Sequence, residues 1–173
     1  MKVIIFTIGI LAVAMMAGCV AGAPFYLVKQ GIGQARIVWH RQKIDTVLET
    51  DDLTNEQRRK LVLMKEIETY ARNHFLLNDT KSFHSFVKTE GEAVSYLVMA
   101  APELRLESVR WWFPVTGDVP YLGFFDKSDA DQFDAYLKDK GFDVDRGEAA
   151  AYSTLGWFSD PVFSSQLKYS DAY

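Results

Sequence analysis

Apolar side chains fill the start of the chain almost without a break and then recur at regular spacings. From Val3 to Ala17 only Thr7 and Gly9 interrupt the run, Lys2 precedes it and small residues close it. A positive leader, an apolar core and a small-residue boundary have the form of a secretory signal over residues 1–18. The apolar character continues through Cys19 and Pro24 to Val28, so an uncleaved span of roughly 20 residues is the competing reading. Gly, Ala and Pro crowd residues 17–24, which suits an extended tether over 19–30 better than the second half of a membrane helix.

Periodicity then predicts elements. Gln34 to Leu48 reads as helix, with Ala35, Val38 and Trp39 on one side, Ile44, Val47 and Leu48 further on, and a break near Lys43. Thr54-Asn55-Glu56-Gln57 is a capping-box pattern in which hydroxyl and amide satisfy each other's backbone amides. From there Leu61, Met64, Ile67, Ala71, His74 and Phe75 repeat at three and four, predicting one helix to about Leu77. After Asn78-Asp79, aromatic and β-branched runs predict strands over 94–100, 110–115, 120–125 and 142–144, with Thr116-Gly117-Asp118 turning between the middle two. Ser128 can cap a helix bearing Asp129 and Asp131 in its first turn, where negative charge suits the amide end, and Gly141 ends it. The expected fold class is α+β: N-terminal helices followed by a small, mostly antiparallel sheet with one interposed helix, over residues 31–173.

Composition narrows the function. Of 173 residues 49% are hydrophobic and 24% charged, which excludes intrinsic disorder and supports one globular domain. Nineteen basic against 23 acidic residues give a net charge of −4 with no basic cluster, so no nucleic-acid partner is expected. The one cysteine, Cys19, permits neither an internal disulfide nor a Cys-based zinc site. Met16-Ala17-Gly18-Cys19 resembles a bacterial lipobox, with Met16 where Leu is more usual. That motif implies cleavage before Cys19, a diacylglycerol on its thiol, and the lipid bilayer of the envelope as a partner. Val20, rather than an acidic residue, after Cys19 leans the placement toward the outer membrane.

Candidate chemistry is sparse. Zinc hydrolysis needs converging ligands, usually two His one helical turn apart with a Glu between them; His40, His74 and His84 offer no such pair, and His74 reads as a packed residue of the helical stripe. No complete metal site and no catalytic residue is assigned. Ser85-Phe-Val-Lys88 and Ser165-Gln-Leu-Lys168 match Ser-x-x-Lys without the companion motifs a serine hydrolase of that type needs. Gly31-Ile-Gly33 lacks the third glycine and the parallel sheet of a dinucleotide loop, and reads as a flexible joint. Asp129, Asp131 and Asp134 lack the glycine and the bidentate Glu of a calcium loop, and read as a solvated helix face. Aromatic segments remain: Trp111-Trp112-Phe113-Pro114, Gly117 to Phe125 and Ala151 to Pro161. They read as a packed hairpin and irregular loop, or as a groove holding an extended peptide against a strand edge, with Gly117, Tyr121, Tyr152 and Trp157 as candidate groove residues.

At Gly33-Gln34-Ala35, Phe113-Pro114-Val115 through Val119-Pro120-Tyr121-Leu122-Gly123-Phe124-Phe125, and Ala151-Tyr152-Ser153-Thr154-Leu155-Gly156-Trp157-Phe158-Ser159-Asp160-Pro161, the chain resembles a family of bacterial putative aminopeptidases. The resemblance implies an enzyme: peptide hydrolysis by a zinc-activated water, with a His-Glu-x-x-His helix supplying two ligands and the base. In the family that helix follows the last of these motifs. It is absent here, so the family's metal and base residues carry over to no position, and Ser170-Asp171-Ala172-Tyr173 reads as a helix cap and first turn. The expectation is the N-terminal portion of a longer aminopeptidase, inactive by itself. The alternative is a non-catalytic envelope lipoprotein that binds peptides or other envelope components.

Overall fold

The computed structural model describes residues 23, 25–50, 52–75, 81–113, 116–154 and 158–168. The expected signal segment and Cys19 lie outside them, as do residues 20–22 and 24 of the expected tether. The chain divides into two compact units, the first comprising residues up to Ala35 with Ser95–Glu148 and the second Arg36–Val94 with Ala149–Tyr173.

Helix α1 spans Tyr26–Trp39. It starts earlier than the sequence suggests, so the tether does not extend to residue 30, and Gly31 and Gly33 sit inside a helix instead of forming a joint. Tertiary contact supplies the reason. Tyr26 is buried and its hydroxyl donates to the Gly123 carbonyl at 2.9 Å, an oxygen that Gln30 Nε2 also reaches at 2.9 Å. A helical glycine costs about 1 kcal/mol relative to alanine, and packing of this face offsets it.

In the first unit, strands β3 (Ser95–Pro102), β6 (Leu122–Phe124) and β7 (Phe142–Ala149) form a sheet in the order β6-β3-β7, with β3 and β6 antiparallel. Strands β4 (Trp111–Phe113) and β5 (Gly117–Val119) make a separate antiparallel hairpin in which Phe113 pairs with Gly117. The expected hairpin between 110–115 and 120–125 is therefore corrected: the partner strand is Gly117–Val119, where Gly117 and Asp118 were expected in the turn. Gly117, at φ 70°, opens the hairpin's return strand, and Leu122–Phe124 leaves for the larger sheet. Helix α4 (Lys127–Asp139) has Asp126, not Ser128, as its N-cap, because the Asp126 carbonyl already accepts from the amides of Asp129 and Ala130. Gly141, at φ 79°, follows its end, as the C-terminal asymmetry of helices favours. Ala130, Phe133 and Leu137 of α4, spaced at three and four, pack with Val98, Leu122, Phe124 and Tyr26 into one core.

In the second unit, strands β1 (Gln42–Lys43), β2 (Ser85–Val87) and β8 (Val162–Phe163) form a sheet in the order β1-β2-β8. β1 pairs antiparallel with β2, and β2 parallel with β8. Helix α2 (Ile44–Leu48) and the long helix α3 (Asn55–Phe75) cover it, and Ile44, Val47, Leu61, Phe86, Val162 and Leu167 form a second core. The break near Lys43 is present, as two residues of strand. The capping box of α3 is made in both directions: the Gln57 amide donates to Thr54 Oγ1 at 3.2 Å and the Thr54 amide to Gln57 Oε1 at 3.0 Å. The apolar stripe of α3 is buried only near its start. Leu61 is inaccessible, whereas Ile67 and Phe75 are 57% and 67% exposed. The architecture is α+β with small, mostly antiparallel sheets, and no helix of the described residues is long and apolar enough to cross a membrane.

Candidate functional site

The loop that follows β7 is built around Asp160. This buried carboxylate accepts hydrogen bonds from Ser153 Oγ at 2.9 Å, from the Thr154 amide at 3.0 Å and from Thr154 Oγ1 at 2.7 Å. Its own amide donates to Ser82 Oγ at 3.1 Å, and its carbonyl accepts from the Phe83 amide at 2.7 Å, so one residue ties two segments to each other. Charged acceptors form hydrogen bonds roughly twice as strong as neutral ones. The Ser153-Thr154 to Asp160 part of the aromatic motif thus closes a loop, which explains its dense turn-forming chemistry.

Beside this loop's unit-mates lies a cavity of about 420 Å³, whose lining includes the apolar side chains of Val47, Leu53 and Phe86 and the charged side chains of Asp52, Lys88 and Glu90. Val47, Leu53 and Phe86 form its apolar part, and most of the other lining residues are polar or charged. Sequence reasoning did not find it. Its residues come from α2, the approach to α3, β2 and the loop after β2, and no local spacing announces their convergence.

The four groove candidates divide between the units. Gly117 belongs to the β4–β5 hairpin and Tyr121, 46% exposed, lies between β5 and β6, both in the first unit. Tyr152 lies in the second unit, its ring 5.6 Å from that of the buried Phe163. Trp157 lies outside the described residues.

The imidazoles do not fit a zinc centre. His40 and His74 each place Nδ1 within hydrogen-bond distance of the carbonyl four residues earlier, Arg36 at 2.7 Å and Tyr70 at 2.9 Å. His74 is exposed and stacks on Tyr70 with ring centroids 3.8 Å apart, which corrects its reading as a packed core residue. His84 Nε2 lies 3.2 Å from Glu68 Oε1 and 3.3 Å from the Arg72 guanidinium, a cation that would repel a metal ion there. Among the described residues no group of three His, Cys, Asp or Glu could hold a metal ion.

The serine motifs are likewise not dyads. Ser85 and Lys88 stand three positions apart along a strand and its extension, where alternation sends side chains to opposite faces. Ser165 is fully buried and donates to the Ala150 carbonyl at 2.6 Å, while Lys168 pairs with Glu92 at 3.4 Å. The aspartates of α4 form ion pairs on a helix face: Asp129 with Lys29, Asp131 with Lys127 and Arg146, Asp134 with Lys138. The hydrogen bond from Lys127, joined by that from Arg146, holds the Asp131 carboxyl below the usual carboxylate range.

Fold and site together define a two-unit α+β chain with a mixed apolar and charged cavity. A sequence model of the putative aminopeptidase family matches residues 25–173, and the chain belongs to that family. Neither the curated proteins nor the solved structures gave a match.

Proposed function

We propose that this protein is an envelope-anchored member of the aminopeptidase family that engages peptides, and that residues 19–173 in isolation hold no catalytic zinc. The observation carrying the reading is the family match over residues 25–173. The anchor rests on the lipobox-like Met16-Ala17-Gly18-Cys19 and places the chain at the bacterial envelope, with the outer membrane favoured. Zinc would supply an activated water in such an enzyme, and the histidines here do not offer it a cradle. No His-Glu-x-x-His occurs in the 173 residues.

The 420 Å³ cavity is where this reading seats a peptide: an apolar side chain on Val47, Leu53 and Phe86, and the terminal ammonium toward Asp52 and Glu90. The purified chain should carry no stoichiometric zinc by elemental analysis and should leave aminoacyl-nitroanilides intact. Chelator-sensitive hydrolysis would overturn that part of the reading. Calorimetry with a short peptide bearing a free apolar N-terminal residue should show binding that weakens in D52N/E90Q; equal binding would remove the cavity from the proposal.

A non-catalytic envelope lipoprotein that binds peptides is the second reading, favoured by the lack of a metal-ligand group among the described residues. Globomycin should cause an unprocessed precursor to accumulate under both readings, and unchanged gel mobility would count against lipidation at Cys19. Genomic sequence past the codon for Tyr173 separates the two: a reading that encodes His-Glu-x-x-His favours the enzyme.

A further inference from the structure

The sheet β1-β2-β8 of the second unit turns one face to a core and an arginine to the other. Gln42, Phe86 and Val162 stand in one row of its register, and Phe86 and Val162 belong to the core with Ile44, Val47, Leu61 and Leu167. The next row pairs Val87 with Phe163, and continuing the antiparallel register of β1 and β2 by one position sets Arg41 across from Val87. Side chains alternate between faces along extended chain, so this row lies on the face away from that core. The cavity agrees: its lining includes His40, Gln42 and Phe86 but not Arg41.

The Arg41 row is apolar. Val87 and Phe163 are buried, and the Tyr152 ring lies 5.6 Å from that of Phe163. Within it the guanidinium lacks a partner: Nε and Nη2 of Arg41 are both buried, and neither makes a hydrogen bond. Among the described residues no carboxylate pairs with it. Arg146 also has an unpartnered Nε, but Asp131 holds its Nη1 at 2.9 Å. Burying a charged group without a partner is costly, and arginine stays charged when buried, so the fold carries Arg41 at a loss of stability.

Which two atoms are orphaned identifies the ligand. Nε–H and Nη2–H leave the same edge of the planar guanidinium nearly parallel, and the two oxygens of a carboxylate meet such an edge in a bidentate pair. A single orphaned donor would suit any acceptor, whereas this edge selects a two-oxygen anion.

We propose that Arg41 is a carboxylate-binding residue, its Nε and Nη2 receiving the two oxygens of a peptide's C-terminal carboxylate on the face of β1-β2-β8 away from the cavity. The peptide as bearer of that carboxylate rests on the peptide-binding reading above, whereas the fork stands on its own geometry. Arg41 as a whole residue is only half-buried, so solvent reaches part of it. Apolar surroundings make an ion pair there stronger than one on an open surface.

The test follows the Arg41 Nε–Hε signal of the isotopically labelled full chain by nuclear magnetic resonance. N-acetyl-Ala-Phe with a free carboxylate should move that signal saturably, and the same peptide as its C-terminal amide should leave it in place. R41K keeps a positive charge without the fork and should weaken binding of the acid about tenfold by calorimetry. Should R41K fail to fold, the signal of the natural chain decides by itself. An unmoved signal, equal affinity for acid and amide, or undiminished binding by R41K each overturns the proposal. An equal shift from inorganic phosphate at the same concentration overturns it as well, since the contact is then a general anion contact. The blocked amine keeps the acid from testing the cavity, which is probed separately with Phe-Ala amide, a peptide with a free ammonium and no carboxylate. Binding of the acid without Phe-Ala amide removes the cavity reading and supports Arg41; the reverse overturns Arg41 and leaves the cavity.

Discussion

Gly33 lies directly beneath the ring of Phe125: a Cβ built on the glycine would stand 2.0 Å from Phe125 Cδ2. Two turns of α1 therefore meet the segment after β6 at a distance no other residue permits. Gly33→Ala should lower stability by about 1–3 kcal/mol through overpacking, even though alanine is the better helix former. Gly31, with nothing within 4 Å of its Cβ position, provides the contrast. Gly31→Ala should raise stability by about 0.5–1 kcal/mol. Urea unfolding of the two variants checks both signs.

Burial pushes the Tyr26 phenol up to about 12. The unfolded chain releases this proton near pH 10 and the folded chain only near pH 12. Below pH 10 both states hold it and stability is unaffected; between the two values the folded state loses ground by about 1.4 kcal/mol per pH unit. Denaturant titrations at rising alkaline pH should show that decline. Tyr26→Phe should abolish it while costing about 1 kcal/mol at neutral pH for the lost hydrogen bond.

Removing the Asp160 carboxylate takes an acceptor from Ser153 Oγ, the Thr154 amide and Thr154 Oγ1 at once. Asp160→Ala is expected to destabilise by about 3 kcal/mol, because a buried charged acceptor and its donors are lost as a unit. Hydrogen exchange at the Thr154 amide should accelerate beyond the global effect. Unchanged protection there would show that the loop does not depend on Asp160.

The capping box gives a local counterpart. Thr54→Ala should cost about 1 kcal/mol, and Gln57→Ala less, since only the reciprocal bond to the Thr54 amide is removed. Thermal unfolding that moved for neither variant would mean α3 takes its start from packing alone.

The features legible in the residues were those decided within a few positions. Thr54 and Gln57 are three apart, so their bonds form as soon as the helix does. Ala130, Phe133 and Leu137 likewise declare a core face by spacing alone. Strands of two or three residues have no such signature. Phe86 pairs with Val162, and that contact exists only because the chain returns after more than seventy residues. His74 shows the opposite failure: it continues the apolar period of α3, but it is exposed, and its ring stacks on Tyr70.

The sequence by itself determined the α+β class, the family, the acidic balance, the cap of α3 and the inward face of α4, because each follows from composition or from near-neighbour spacing. Tertiary structure alone decided that residues after Phe25 are helix instead of tether, that Leu122–Phe124 leaves the hairpin for another sheet, and that the cavity brings Val47, Phe86 and Glu90 together. In each of these cases the deciding partner lies far along the chain, and its contribution enters only once the intervening loops have closed.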